Sequence, residues 1–328
     1  MAFSVGMVGC GGIAQVHAAA LAKLPDVRLR ACADIVPERA QRMAEAYACR
    51  AYASLSDMLA GEKLDAVHIC TPHYLHTPMA RQIADYGAAV LTEKPPVISR
   101  AQWEELCAVA ARVPLGVCFQ NRYNPNVRDA QAIIASGEYG AVRGARAFVT
   151  WSRGEKYYTQ SGWRGRWETE GGGVLINQSI HTLDLLVRLL GPAAAVEAHM
   201  ANHHLRGTIE VEDTLEAYML LGGKPVIFYA TTAYAADAPV LLEVQLEKAT
   251  LRLEGATLEI RQGAQTERRA YQGPEALGKG YWGNGHQACI ADFYDSLAQK
   301  RPFANDLASV RATVDAMLAI YAQGVKTL

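Results

Sequence analysis

The stretch Phe3-Ser-Val-Gly-Met-Val-Gly-Cys-Gly-Gly-Ile-Ala14 decides the fold of the first half of the chain. Its mostly apolar beginning predicts a strand, which runs directly into the pattern Gly-x-Gly-x-x-Ala and a helical stretch. A second apolar strand at 27–33 ends in Asp34, twenty positions beyond Ala14. Small residues let the backbone close on a pyrophosphate at a helix N-terminus, and an acid at this distance receives the adenosine ribose hydroxyls. The spacing therefore predicts a dinucleotide site formed by Gly9, Gly11, Gly12, Ile13 and Asp34.

Asp34 also indicates which dinucleotide is bound. A carboxylate at this position repels a 2′-phosphate, and the following Ile35 and Val36 offer no cation to receive one. We therefore expect NAD rather than NADP as the cofactor, with Arg39 as the nearby cation that favours NADP.

Strands and helices continue to alternate as far as residue 120. This alternation is typical of a doubly wound parallel sheet, in which ligands bind beyond the carboxyl ends of the strands. Polar residues at those ends extend the predicted cofactor site, and they are Thr71, Pro72, His76, Glu93, Lys94 and Gln120.

Lys94 is the strongest candidate for chemistry in this half. It ends a predicted strand, stands beside Glu93 and precedes two prolines, so its cation is rigidly presented and an X-Pro bond here has some chance of being cis. The alternative is a loop lysine paired with its neighbouring acid.

His73 and His76 have the spacing H-x-x-H, which occurs in metal sites. No Cys, Asp or Glu follows at the distance that a zinc site requires, so we expect no metal. We interpret the two histidines as turn and cap residues on the nicotinamide side.

Composition bounds the class of protein. A chain of 328 residues with 50% hydrophobic residues predicts two well-packed domains, and a net charge of -1 gives no general attraction to nucleic acid or to an acidic membrane. Seven scattered cysteines without a C-x-x-C pair are typical of a reducing compartment. No apolar run approaches the ~18 residues of a membrane span and no signal-type segment opens the chain. We expect a cytoplasmic protein.

The pattern changes after residue 120. Strand-like runs joined by short turns, such as Leu221-Gly-Gly-Lys-Pro225, indicate antiparallel pairing. One helix at about 174–190 interrupts these strands, and two helices close the chain. The sequence thus predicts an α/β fold with an N-terminal doubly wound Rossmann domain, residues 1–120, and a C-terminal α+β domain, residues 121–328, with an open, mainly antiparallel sheet.

The stretch Gly171-Gly-Gly-Val-Leu-Ile-Asn-Gln-Ser-Ile-His-Thr-Leu-Asp184 brings polar groups to the second half. Asn177, His181 and Asp184 follow at offsets of four and three, which on a helix places them along one face. A neutral imidazole can accept a proton near pH 7, because its unperturbed pKa is ~6.5. Asp184 either orients His181 or serves the structure only.

Segment 151–167 contains three of the five tryptophans, together with two tyrosines and four basic residues. Aromatic faces suit sugar rings, and arginine forks suit hydroxyls, carboxylates or phosphates. The alternative is that the aromatic residues only anchor a long loop. The substrate candidates here are Trp163, Arg164 and Trp167. Further along, His286 follows the glycine-rich stretch 281–285 and either completes the substrate pocket or caps a helix.

These motifs, in this order, resemble the glucose-fructose oxidoreductase / inositol dehydrogenase / rhizopine catabolism (Gfo/Idh/MocA) family. The resemblance covers essentially the whole chain and rests on residues 9–14, Thr71-Pro72, Glu93-Lys94-Pro95 and 171–184. It implies a Rossmann domain followed by an α+β domain whose sheet often serves oligomerisation. It also implies that Lys94 and His181 act on a substrate hydroxyl next to nicotinamide C4.

One position departs from the family pattern. Inositol dehydrogenase-like members carry an aspartate four positions before the histidine, and this chain has Asn177. An amide binds sugar hydroxyls but cannot accept a proton as a base, so we expect specificity rather than proton transfer from Asn177. Ser179 also replaces a glycine that is common there. The chain resembles the nucleotide-sugar or general sugar dehydrogenase branches more than the inositol enzymes.

The predicted function is hydride transfer between NAD and a hydroxyl or carbonyl of a sugar, polyol or sugar derivative. His181 would accept the hydroxyl proton, while Lys94 would orient the hydroxyl and stabilise developing alkoxide charge. The alternatives are an NAD-dependent glycosidase or lyase that oxidises its substrate transiently, and a non-catalytic dinucleotide or sugar sensor. The expected partners are a small-molecule substrate and further copies of the chain, as a dimer or tetramer through the C-terminal sheet, without nucleic acid or membrane. The predicted substrate-binding residues are Lys94, Arg122, Trp163, Arg164, Trp167, Asn177, His181 and His286.

Overall fold

A computed structural model describes residues 2–271 and 285–324 of the chain. The chain divides into two compact units. The first comprises residues 1–120 and 275–310, and the second comprises residues 121–274 and 311–328. The sequence predicted domains over 1–120 and 121–328, and that assignment stays a prediction beside these two units.

The first unit contains a six-stranded parallel sheet with strand order β3-β2-β1-β4-β5-β6. Because β1 lies between β2 and β4, the chain builds the sheet outward in both directions from its first strand. Ligands in such folds bind at this switch point, beyond the carboxyl ends of the strands. The strands are β1 (Phe3–Val8), β2 (Val27–Ala33), β3 (Arg50–Tyr52), β4 (Ala66–Ile69), β5 (Ala89–Glu93) and β6 (Leu115–Cys118).

Helices connect these strands. Every residue of β4, β5 and β6 is buried, as expected for a parallel sheet covered on both faces. Serine caps fix two helix starts: Ser54 accepts from the Asp57 N–H and Ser99 accepts from the Gln102 N–H. The helices are α1 (Gly12–Leu21), α2 (Pro37–Tyr47), α3 (Leu55–Gly61), α4 (His76–Tyr86) and α5 (Arg100–Ala110).

The second unit contains an eight-stranded sheet with strand order β14-β13-β12-β11-β7-β10-β9-β8. Neighbouring strands are antiparallel except β7 and β10, which are parallel. The predicted mainly antiparallel sheet is therefore confirmed. Its strands are β7 (Val142–Thr150), β8 (Ala193–Ala201), β9 (Thr214–Leu221), β10 (Lys224–Thr231), β11 (Leu241–Leu246), β12 (Thr250–Glu254), β13 (Thr257–Gln262) and β14 (Gln265–Ala270).

The β9–β10 connection shows why these strands pair as predicted. Leu221 and Lys224 form the last pair of the ladder, so only Gly222 and Gly223 make the turn. Both glycines have positive φ, 54° and 77°, which a two-residue turn matching the strand twist requires. Along β10 buried residues alternate with more exposed ones, so one face of the sheet is covered and the other is open.

The remaining helices of the second unit are α6 (Pro125–Ser136), α7 (Glu155–Thr159) and α8 (Ile180–Leu190), and Val174–Ser179 is π-helical. The short α7 and the edge strand β14 were not predicted from the sequence, because neither has a clear apolar period. Helix α9 (His286–Gln299) packs on α1, which explains its place in the first unit, and α10 (Leu307–Tyr321) follows. Among the described residues, no helix combines the length and the apolar character needed to cross a bilayer.

Candidate active site

The glycine turn after β1 has the shape that a dinucleotide phosphate needs. Gly9 has φ +84°, and a Cβ on it would lie 2.6 Å from the carbonyl oxygen of Cys70, so no other residue fits. By contrast, no atom lies within 4 Å of where the Cβ of Gly11 or Gly12 would be. The start of α1 is thus open, and its first N–H groups lack partners within the helix. The predicted cradle for the pyrophosphate fits.

Asp34 lies beside this turn, as its spacing predicted. Its carboxylate accepts the Cys10 N–H at 2.7 Å and the Val36 N–H at 2.8 Å, and only 8% of the residue is exposed. A carboxylate has about four acceptor positions, so two remain for the ribose hydroxyls. The neighbouring Ile35 is 90% exposed and apolar, where a 2′-phosphate would need a cation.

His76, which we predicted to contact the cofactor, lies between two backbone carbonyls. Its ring is buried, with Nδ1 2.7 Å from the Pro95 carbonyl oxygen and Nε2 2.9 Å from that of Thr71. Two carbonyls favour a ring that donates from both nitrogens, whereas burial lowers the pKa of His76. A neutral ring can donate to only one of these carbonyls, and the ring lies between the Thr71-Pro72 turn and the loop after β5. The Lys94–Pro95 peptide bond in that loop is cis.

Glu93 ends β5 in a buried position, and its carboxylate is engaged inside the unit. Oε1 lies 2.9 Å from His17 Nε2, and Oε2 accepts the backbone N–H of Lys94 at 3.2 Å. Lys94 itself is half-buried, and Gln120, two residues after the end of β6, is buried. The alternative of a loop lysine paired with its neighbouring acid stays open.

The first unit also contains a buried histidine cluster that the sequence did not reveal. His17 on α1 contacts His68 on β4 through their Nδ1 atoms, 2.8 Å apart, and the other nitrogen of His68 lies 2.7 Å from the Tyr294 hydroxyl. His17, Glu93 and Cys118 bring their donor atoms within 4.8 Å of one another. Since the His17–Glu93 distance is that of a hydrogen bond, the cluster is explained without assigning a metal. The only signal in the sequence was a histidine inside each of two apolar segments.

His286 belongs to this interior as well. It is 2% exposed, its ring centre lies 6.2 Å from that of His17, and burial lowers its pKa to about 4. It is the first residue of α9 in the first unit, and its predicted part in substrate binding stays a prediction. Residues 281–284, which we predicted to accompany it, lie outside the described residues.

In the second unit, the triple glycine is needed for close packing. Gly172 has φ +149°, and a Cβ on it would overlap the Tyr321 hydroxyl, while one on Gly173 would overlap the carbonyl oxygen of Glu212. The buried carboxylate of Glu212 accepts the N–H groups of Gly173 at 2.9 Å and Leu175 at 3.0 Å, and the Tyr321 hydroxyl at 2.9 Å. This network fixes where the next helix begins.

That helix presents two of the three predicted polar residues. In residues 171–187 every residue is buried except Asn177 and His181, which are partly exposed. The predicted helix is π-helical over Val174–Ser179 before α8 begins, and π-helical turns frequently occur at functional sites. The stretch therefore supports two side chains at its surface and buries the rest.

Asp184, the third predicted polar residue, is buried. Its Oδ2 accepts Nε of Arg122 at 2.7 Å and its Oδ1 accepts Nη2 at 2.5 Å, and the Thr313 hydroxyl donates to Oδ1 at 2.7 Å. The structure thus places Asp184 and Arg122 in one buried ion pair. The substrate-binding role of Arg122 stays a prediction.

Asn177 is connected to an acid that the sequence analysis missed. Its amide donates to Oε1 of Glu170 at 2.5 Å and lies 3.3 Å from the Tyr157 hydroxyl, to which Gln178 also donates at 3.2 Å. Glu170 is fully buried, and this burial raises its pKa to about 7. Because the Tyr157 oxygen accepts from two amides, its own O–H is left to donate. No local sequence signal links residues in two different segments.

Arg164 stands beside this group as a preformed cation. Its guanidinium lies over the rings of Tyr157 and Trp163, with centroid distances of 4.4 and 4.8 Å. The neighbouring Arg153 also faces Tyr157, but Asp237 neutralises it at 2.7 Å. Across residues 2–271 and 285–324, Arg164 forms no ion pair.

The contacts of Trp167 agree with the alternative in which the aromatic residues of segment 151–167 anchor a long loop. Its indole N–H donates to the carbonyl oxygen of Glu210 at 3.0 Å, and its ring packs edge-on against Tyr321. It anchors the loop, and 37% of the residue remains exposed. Trp163 is half-buried and stacks on Arg164, so it is the better placed of the two predicted tryptophans.

Two family models match successive parts of the chain. Residues 3–120 match the model of an oxidoreductase family with an NAD-binding Rossmann fold (GFO_IDH_MocA), and residues 127–252 match the GFO/IDH/MocA C-terminal domain. The chain is 33% identical over 209 residues to D-glucoside 3-dehydrogenase of Escherichia coli K12, which is 60% of this chain and 56% of that protein. It is 30% identical over 193 residues to inositol 2-dehydrogenase of Rhizobium meliloti, which is 58% of this chain and 56% of that protein. The chain thus matches little more than half the length of these curated relatives.

Solved structures are similar over nearly the full length. The WlbA dehydrogenase from Bordetella pertussis, in complex with NADH and UDP-GlcNAcA, has a TM-score of 0.86 and 28% identity, with 98% of this chain and 96% of that chain covered. Levoglucosan dehydrogenase, in complex with NADH and levoglucosan, has a TM-score of 0.87 at 21% identity, with 98% and 97% covered, which shows the fold alone.

Proposed function

We propose that this chain, which belongs to the GFO/IDH/MocA oxidoreductase family and has an NAD-binding Rossmann domain, transfers a hydride between NAD and a hydroxyl or carbonyl of a sugar, polyol or sugar derivative. The observation that carries the proposal is the exposure pattern of 171–187, where only Asn177 and His181 reach the surface. A stretch that buries fifteen of seventeen residues and presents one amide and one imidazole is built to offer them to a ligand.

The proposed roles follow from the chemistry of the side chains. NAD, held by Gly9, Gly11, Gly12 and Asp34, supplies the hydride acceptor when bound. His181 accepts the hydroxyl proton as the hydride leaves the same carbon, since a neutral imidazole can do so near pH 7. Lys94 orients the same hydroxyl and stabilises its developing negative charge.

Substrate recognition is assigned to the second unit. Asn177 offers hydrogen bonds to sugar hydroxyls, and its amide is oriented by the buried Glu170. Trp163 and Arg164 form an aromatic and cationic surface, which suits a sugar ring carrying hydroxyl or anionic groups. Trp167 anchors the loop that carries them.

The proposal includes a homo-oligomer and a reducing, cytoplasmic location. Tyr218 and Ile227 are directly opposite each other on β9 and β10, and they are 46% and 56% exposed on the open face of the second sheet. Paired apolar side chains on an open sheet suit an interface with a second copy of the chain. Light scattering of the purified protein tests this part.

The reaction is tested by NADH formation with a panel of sugars, polyols and sugar nucleotides. Lys94→Ala and His181→Ala are expected to lower kcat by about a hundredfold or more on any substrate that reacts. The matched controls are Lys63→Ala and His199→Ala, which remove an exposed lysine and an exposed histidine elsewhere. A kcat within about threefold of wild type for either test variant would reject its catalytic role.

The same panel separates the two alternative functions. A transient oxidation would convert glycosides to products without net NADH, whereas a sensor would bind NADH and sugar without any turnover. Conversion of one alcohol with one NADH per product contradicts both.

A further inference from the structure

A hydrogen-bonded network of four buried polar side chains runs through the core of the first unit and ends beside Lys94. It connects Tyr294, His68, His17 and Glu93 through contacts of 2.7, 2.8 and 2.9 Å, and both histidines are completely buried. The proposed reaction uses none of the first three groups. Buried titratable groups lower the stability of the folded state unless each is paired. The network therefore needs an explanation beyond packing.

The contacts restrict where the protons lie. His17 donates from Nε2 to the Glu93 carboxylate, and of the two facing Nδ1 atoms one must donate and the other accept. If His17 is charged, it donates to His68, which donates in turn to the Tyr294 oxygen. In this arrangement each contact of the network joins a hydrogen-bond donor to an acceptor.

The directions of the pKa shifts agree with a charged His17 and an ionised Glu93. Burial lowers the pKa of His17, but Cys70, Cys118 and Glu93 raise it well above its ordinary value, and of these the carboxylate carries a full charge. Burial raises the pKa of Glu93, but the hydrogen bond and charge of His17 hold it well below its usual range. For His68, burial holds the pKa well below the ordinary value, so that ring is neutral.

The other groups facing this pair are weaker partners of Glu93. His286 and Lys94 also lower the pKa of the carboxyl, but both act after His17 in size. The Cys118 thiol stays neutral, because its contact with Cys289 and its burial raise its pKa. His17 is thus the principal counterion of Glu93.

We propose that His17 is a positioning residue for Lys94: as the counterion of Glu93, it keeps that carboxylate on the backbone N–H of Lys94 and away from the lysine ammonium. The other two groups that lower the pKa of Glu93 are His286 and Lys94. Because burial lowers the pKa of His286 to about 4, that ring is neutral at pH 7, and Lys94 is the cation among them. The inference rests on the proposed role of Lys94. It explains why a histidine on α1 is tied to the strand end that presents the lysine.

His17→Gln gives the direct test, because glutamine can still donate to Glu93 from the place of Nε2 but carries no charge. The readout is the pH dependence of trace labelling of Lys94 by acetic anhydride, followed by mass spectrometry, on the full chain with NADH bound. We expect the Lys94 pKa to rise by about one pH unit, because an uncompensated carboxylate stabilises the ammonium. If the wild type oxidises a sugar, kcat at pH 7 should fall about tenfold.

The double variant His17→Gln/Glu93→Gln separates this mechanism from a packing defect. Removal of the carboxylate should cancel the rise in the Lys94 pKa and restore part of kcat, whereas damage from packing would persist. Tyr294→Phe is the milder variant should His17→Gln not fold. It weakens the end of the network that is farthest from Glu93, and it should raise the pKa of Lys94 by less than His17→Gln does.

Two results would overturn the inference: a Lys94 labelling curve in His17→Gln or Tyr294→Phe that coincides with the wild-type curve, or a shift that survives Glu93→Gln in the double variant. Labelling requires neither substrate nor turnover. If no sugar is oxidised by the wild type, the proposed function fails while the labelling result still decides the role of His17.

Discussion

Arg122 and Asp184 form a two-pronged ion pair inside the second unit, with Nε–Oδ2 and Nη2–Oδ1 distances of 2.7 and 2.5 Å. Their side chains are 3% and 1% exposed. A pair this deeply buried is costly to break, since the remaining partner keeps an uncompensated charge. The pair joins the turn after β6 to α8, and thereby holds the helix that carries His181.

Asp184→Asn should therefore destabilise the protein by about 3 kcal/mol, measured by urea unfolding at pH 7. The control is Asp237→Asn, which breaks the more exposed pair with Arg153 and should cost about 1 kcal/mol or less. Unchanged stability with a large loss of kcat would instead assign Asp184 to the orientation of His181.

Asn177→Asp should add a decline above pH 7 to the pH profile of kcat/KM. The new carboxylate would face Glu170, whose pKa is already raised to about 7 by burial, so two acids would share one buried contact. We expect kcat/KM to fall by about tenfold or more above pH 7, where both would ionise. The exchanged pair Asn177→Asp/Glu170→Gln restores one acid and one amide and should recover much of this loss. A flat profile in Asn177→Asp would show that Glu170 does not act on this position.

Glu170 should also affect stability as a function of pH. Its pKa is raised in the folded state, so its favourable contribution is complete below about 4.5 and is lost as the pH rises through about 7. The effect is at most roughly 3.5 kcal/mol, since the pKa rises from 4.5 to about 7 and each pKa unit corresponds to about 1.4 kcal/mol. Urea unfolding at several pH values should show a smaller decline in Glu170→Gln than in wild type. The decline that remains is expected from Glu212, whose pKa burial also raises to about 7. Parallel curves would contradict this account.

Asp34→Asn should weaken the preference for NADH over NADPH. In the wild type we expect NADH to bind at least about tenfold more tightly, because the fixed carboxylate repels a 2′-phosphate. The asparagine variant should lose most of this difference mainly by binding NADPH better, as measured by fluorescence titration. Equal or tighter binding of NADPH by the wild type would reject the role of Asp34.

Arg164→Gln should distinguish anionic from neutral substrates. Its stacked guanidinium forms no ion pair within the described residues, so a carboxylate or phosphate on the sugar could supply the missing charge. For a sugar acid or sugar nucleotide that reacts, we expect KM to rise about tenfold with little change in kcat. The neutral sugar of the same ring configuration is the matched control and should change little. An equal rise for both would limit Arg164 to holding the loop.

The sequence predicted those features that depend on spacing along the chain. The strand-turn-helix spacing placed the glycine turn and Asp34 together, and the predicted polar stretch contains Asn177 and His181, which are both partly exposed. Pairs between distant segments have no such signature. Arg122 stood at a strand end like any ligand-binding residue, yet its partner Asp184 lies 62 residues away. For the same reason, the sequence did not reveal the contact of His17 with Glu93. It also did not reveal the burial of His286, which depends on how α9 packs.

The parallel pairing of β7 with β10 has a consequence for how the second unit forms. Strands β8 to β10 are joined by local connections, and so are β11 to β14, so each group can assemble among near neighbours in the chain. Only β7 joins them, and both of its neighbours lie more than 70 residues later in the sequence. Closing such long loops is slow relative to hairpin formation. The joining of the two halves of the sheet through β7 is therefore the step expected to limit the folding rate, and substitutions at its centre should slow refolding more than those in the outer hairpins.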